Sequence, residues 1–191
     1  MRDVILLALL GGVLPFVFFR PWIGLLTWVV IGIAAPHQLG WWLSGQPVAA
    51  IVAAAVLIGY PLFAQRTGGI PMRLPVILLL VFWAWTALTS LTAVYPEVAM
   101  EELAEHSKAM LFVMLALTLF QERTRLHALF GVLAGALGFF AVKGAIFSLA
   151  SGAQYIVWGP ENTVFYDNND FALALNMLLP PALFLMRSSE S

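Results

Sequence analysis

The chain has 191 residues, of which 62% are hydrophobic and only 10% charged, with nine Lys and Arg against ten Asp and Glu for a net charge of −1. A soluble domain of this size needs far more polar surface, and no basic run offers a footprint for nucleic acid. There is no cysteine, which excludes disulfides, thiolate metal sites and a cysteine nucleophile.

Long apolar runs recur from end to end, so the sequence predicts an all-α, polytopic transmembrane helical bundle of about six to seven segments. They fall at 4–19, 22–36, 47–64, 75–94, 108–120, 127–150 and 170–186. The N-terminal run resembles a signal peptide, but it ends in Phe18-Phe19-Arg20-Pro21 without a small-residue cleavage site, so it reads as a retained helix. The first two segments are short for a bilayer that asks for ~20 residues per helix. Only Arg20-Pro21 separates them, which predicts a tight hairpin or one spanning and one partly inserted segment. Pro36-His37 and Pro61 fit helix ends or kinks, because proline lacks a backbone donor.

Ahead of the fifth segment, Glu97, Glu101 and Glu105 repeat every fourth residue after Pro96. That spacing lines one helical face, and Pro96 suits a first turn. The stretch reads as an amphipathic lead-in continuous with the helix through 120, its carboxylates a solvated face. In the sixth segment Gly131 and Gly135 stand at small-xxx-small spacing, followed by Gly138. Tight packing inside the bundle is the expected use of that face.

Strict alternation of seven spans puts Arg20, Arg66, Arg73, Arg123, Arg125 and Arg187 on one side, with Arg2 and Lys108 on the other. By the positive-inside rule the first side is cytoplasmic. The loop 151–169 then faces outward, which in a Gram-negative cell is the periplasm.

Two features stand out as candidates for chemistry. Lys143 lies inside an otherwise apolar segment, where a charge costs ~2.5–3.5 kcal/mol on insertion scales. It either snorkels or pairs internally, or else it serves as a cation for a phosphate near the outer leaflet. The second feature is the island 157–170, Val-Trp-Gly-Pro-Glu-Asn-Thr-Val-Phe-Tyr-Asp-Asn-Asn-Asp, which is polar, aromatic and free of basic residues. Tyr155, Trp158, Phe165 and Tyr166 read as interfacial aromatics or as a platform for sugar rings. One residue of Asp167, Asn168, Asn169 and Asp170 is needed to cap the last helix, and four exceed that need. His37, His106 and His127 are scattered and give no metal spacing. No nucleophile elbow, phosphate loop or zincin motif is present.

In order, Arg20-Pro-Trp-Ile-Gly24, Pro36-His37, Val142-Lys-Gly-Ala145, Val157-Trp-Gly-Pro160 and Asp167-Asn-Asn169 resemble the N-terminal region of the O-glycosylation ligases associated with the exosortase A system, within the O-antigen ligase and polymerase superfamily. The resemblance implies a bacterial inner-membrane protein that takes part in moving a saccharide from undecaprenyl diphosphate to an acceptor hydroxyl at the periplasmic face. It implies no metal, nucleotide or other cofactor. On it, Lys143, Tyr155, Trp158, Asp167, Asn168 and Asn169 are the candidate substrate-binding residues, and no catalytic residue is assigned. Such ligases are about twice as long, with a large external loop carrying arginines and a histidine. Residues 1–191 therefore read as their N-terminal membrane domain, expected to be inactive without a C-terminal half or an adjacent subunit. The expected partners are the lipid bilayer, the lipid-linked glycan and that missing half. A small transporter, with Lys143 and Asp170 as intramembrane charges, and a non-catalytic accessory subunit of polysaccharide assembly are the alternatives.

Overall fold

The computed structural model describes residues 2–63 and 69–189. Arg66, counted above among the arginines of one side, lies outside them. Among the described residues the chain forms seven α-helices and no strand: α1 (Arg2–Phe19), α2 (Pro21–Ala34), α3 (Val48–Phe63), α4 (Leu74–Leu91), α5 (Pro96–Leu119), α6 (Arg123–Ala150) and α7 (Asn168–Ser189). Two 3-10 turns, Pro36–Leu39 and Leu43–Gly45, lie between α2 and α3. The seven predicted segments are these seven helices, with α5 extended by its glutamate-bearing lead-in.

The helices α1, α4, α6 and α7 are long and apolar enough to cross a membrane, whereas α2 and α3 are shorter. Fourteen residues of α2 rise only about 21 Å. Large apolar side chains point outward all along the bundle, for instance Leu9, Phe16, Trp85, Leu88, Phe139 and Ile146. A water-soluble monomer does not carry so continuous an apolar exterior, and lipid is the solvent that suits it. The protein is a helical membrane bundle.

Two compact units make up the chain: Met1–Ala64 with Glu122–Ser191, and Gln65–Gln121. The smaller is the α4–α5 hairpin. Trp83 Nε1 donates to Ser107 Oγ across it at 3.0 Å, and the Phe82 ring meets the His106 ring edge-on at 6.2 Å. Thr86, Thr89 and Ser90 return their hydroxyls to carbonyls three or four residues back, so these polar groups need no water.

In the larger unit, α1 and α2 form the tight hairpin, reversing at Arg20 with Pro21 opening α2. Glycines let the first three helices approach closely. A Cβ on Gly24 would collide with Val56 and lie 2.8 Å from Val17 Cγ1, and one on Gly59 would strike the Phe18 carbonyl. Val17, Leu25, Val52 and Val56 are buried at this seam. A second core joins α2, α6 and α7 through Ile33, Leu137 and Ala174, with Phe165 packed against it. The expectation for the sixth segment fails here. A Cβ on Gly131, Gly135 or Gly138 would meet nothing within 4 Å, so among the described residues those glycines have no close packing neighbour. Further along α6 it is Gly144 that meets one, Val157 of the island.

Contacts at its two ends give this unit a direction. At one end Arg125 lies 5.9 Å over the Trp22 ring, Phe18 and Phe19 meet Phe63, and His127 and Phe130 meet Phe184. Arg20, Arg123, Arg125 and Arg187 therefore gather at that end. At the opposite end the Asp3 carboxylate accepts the backbone N–H groups of Trp41 and Leu43, both at 3.2 Å. This clasps the start of α1 to the α2–α3 connection, and the island lies at the same end.

Candidate functional site

The α2–α3 connection begins with a sharp redirection. Ala35 takes a left-handed conformation (φ 40°, ψ 48°) and its N–H bonds to Ile31 O at 3.0 Å, ending α2. Pro36, which cannot extend α2 and disfavours helix in the residue before it, then opens the 3-10 turn. The redirection brings Gln38 toward α6.

The island is held largely by its own bonds. Gly159 N–H donates to Tyr166 O at 3.0 Å and Tyr166 N–H to Thr163 O at 3.2 Å. Thr163 Oγ1 donates to Pro160 O and accepts from Phe165 N–H. Asn162 turns the loop with φ 57°, a region asparagine tolerates. Gly159 is required by proximity, because a Cβ there would collide with the Phe165 carbonyl and sit 3.1 Å from Phe171 Cβ. The closed loop sets the Trp158 and Tyr166 rings in a near-parallel stack, centroids 5.4 Å apart and planes 20° apart.

Between these pieces lies a cleft of about 560 Å³. Its polar wall is Gln38, Lys143, Glu161 and Asn162, and its aromatic wall includes Trp158 and Tyr166. Among the described residues Lys143 has no carboxylate within ion-pair distance, although Glu161 shares the cleft. An apolar groove of about 340 Å³ adjoins it, running along Val30, Val132 and Ala136. Ala34, Phe139 and Phe140 line both spaces. A mixed cleft that holds an exposed lysine thus opens onto an apolar groove between α2 and α6.

The sequence candidates divide. Lys143 and Trp158 come together in the cleft. Tyr155 lies outside its lining, exposed and tilted against Phe147 with ring centroids 6.3 Å apart. Asp167, Asn168 and Asn169 do not line it either. Asp167 Oδ1 accepts the Asn169 N–H at 2.8 Å, the bond of an N-cap at the start of α7. The candidates Asn168 and Asn169 therefore do not join Lys143 in the cleft. Gln38 and Glu161 were not singled out beforehand. Glu161 lies inside the flagged island, whereas nothing local to Gln38 marks it. Among the described residues no three His, Asp or Glu side chains converge to hold a metal ion.

Residues 1–190 match the Family of unknown function (DUF5935), and the chain belongs to that family. No curated protein matches the chain. No solved structure matches it either.

Proposed function

We propose that this protein is the membrane-embedded part of a glycan ligase, and that its cleft holds an amphiphilic donor, a saccharide on undecaprenyl diphosphate. The observation that carries the reading is the junction of a cleft bearing Gln38, Lys143 and Asn162 beside aromatic rings with a wholly apolar groove between α2 and α6. A lipid diphosphate has that same division. Its isoprenoid chain suits the groove, its phosphates suit the Lys143 ammonium, and sugar rings suit the Trp158–Tyr166 stack. In the transfer, an acceptor hydroxyl oxygen bonds to the anomeric carbon as that carbon's bond to the diphosphate breaks. The hydroxyl proton passes to a base, and the lipid diphosphate leaves with the bonding pair. A cation held at the leaving phosphates favours that departure. No residue of this chain is assigned the role of that base.

The arginine end faces the cytoplasm by the positive-inside rule, which puts the cleft and loop 151–169 on the periplasmic side of the bacterial inner membrane. The transporter alternative has less support, because Asp170 lies in the first turn of α7 and does not line the cleft with Lys143.

The test is binding to the full chain in lipid nanodiscs. Geranylgeranyl diphosphate is expected to bind at least about tenfold more tightly than geranylgeraniol or methylene diphosphonate, since only the first fills both chambers. Equal affinity for the diphosphate and the alcohol contradicts the reading.

A further inference from the structure

Gln38 is the polar side chain that the α2–α3 connection contributes to the cleft wall. Its amide nitrogen lies 3.3 Å from Nε2 of His37. An amide nitrogen only donates, so a neutral Nε2 is the acceptor and the imidazole proton sits on Nδ1. That Nδ1 is buried and, among the described residues, has no hydrogen-bond partner. With its nitrogen engaged by His37, Gln38 has its carbonyl oxygen left for the cleft.

We infer that His37 is a positioning residue that sets which end of the Gln38 amide a ligand meets. Neutral His37 leaves the Gln38 oxygen to accept from hydroxyl groups of a ligand. Protonated His37 carries N–H at both ring nitrogens, draws the amide oxygen to itself and turns the NH2 toward the cleft. There it joins Lys143 in donating to anionic oxygens. This rests on the proposed amphiphile site and deepens it, giving that site a selector between hydroxylated and anionic heads.

Little around His37 competes for this role. It borders an apolar cavity of about 180 Å³ with Leu6 and Leu10 of α1, Thr27 and Ile31 of α2, and Val48 of α3. Thr27 already donates its hydroxyl to Ile23 O. Asp3, at the start of α1, is engaged by the Trp41 and Leu43 backbone, and Lys143 of α6 lies in the cleft that Gln38 lines. Burial lowers the His37 pKa from its usual value. The folded protein therefore holds His37 neutral near neutrality, and the change falls on the acid side of about pH 6.5.

The experiment compares two probes sharing a dodecyl tail, dodecyl methyl phosphodiester and dodecyl glucoside, on the full chain in nanodiscs. Neither head changes protonation between about pH 8 and pH 5, the range over which a histidine reports. On acidification the affinity ratio of phosphodiester to glucoside is expected to rise about tenfold, roughly the worth of one exchanged hydrogen bond. His37→Gln, which keeps a polar group but does not titrate, flattens that ratio while both probes still bind, and Gln38→Leu flattens it independently. A ratio that stays flat in the unmodified chain, or still moves in His37→Gln, overturns the selector while leaving the amphiphile site standing. Failure of both probes to bind at either pH strikes the proposed function itself and removes the selector with it.

Discussion

The two ends of the larger unit solve different problems. At the arginine end the reversal from α1 to α2 takes one residue, Arg20, and the surroundings are ring contacts and close helix packing. At the other end the helices are joined by 35–47 and 151–167, and those connections wall the cleft. A short reversal leaves no room for a site, whereas longer connections on a rigid scaffold are where binding groups collect. The comparison teaches that arginines gather at one end of this unit and the cleft opens at the other, with Lys143 as the basic residue that lines it.

Substitutions at the two ends should therefore separate. Gly159→Val is expected to be the most damaging, since its side chain would overlap the Phe165 carbonyl. It should cost about 1–3 kcal/mol of stability and abolish diphosphate binding, measured by thermal unfolding and titration. Lys143→Ala should weaken geranylgeranyl diphosphate about tenfold or more without lowering the unfolding temperature, because among the described residues no ion pair is lost. Asp167→Ala removes the bond to Asn169 N–H and should cost about 1 kcal/mol with affinity unchanged. That outcome would confine the Asp-Asn-Asn run to capping, while a lost affinity would return it to the site. Arg125→Ala, at the opposite end, loses the 2.9 Å ion pair to Glu122 as well as the Trp22 contact, and should cost about 1 kcal/mol while leaving binding untouched. If Arg125→Ala and Lys143→Ala weaken binding equally, the contrast between the ends is lost.

How far the sequence reached depended on whether a feature was local. Apolar run length located every helix: 4–19 became Arg2–Phe19, and 75–94 became Leu74–Leu91. The Glu97, Glu101 and Glu105 spacing correctly extended α5 back to Pro96. Packing was less legible. Spacing directed attention to Gly131 and Gly135, yet the close approaches fall at Gly24, Gly40, Gly59, Gly144 and Gly159. A glycine's value depends on what lies opposite, which spacing does not record. Lys143 and Trp158 announced themselves by charge and composition. Gln38 did not, because its place in the cleft wall follows from the left-handed turn at Ala35 and from α6, about a hundred residues away. The Asp-Asn-Asn run stood out by composition, and the fold sets it outside the cleft lining, with Asp167 accepting a backbone N–H at the start of α7.

The most direct test of the central claim is photocrosslinking with a geranylgeranyl diphosphate carrying a benzophenone on its tail, mapped by mass spectrometry on the full chain in nanodiscs. The account predicts adducts on the groove residues, above all Val132, Ala136, Phe139 and Phe140, suppressed by excess unlabelled diphosphate and by Lys143→Ala. Adducts spread over the outward faces of α1 and α4, unaffected by competitor or by the substitution, would mean that the probe had merely dissolved in the bilayer, contradicting a lipid-diphosphate site between α2 and α6.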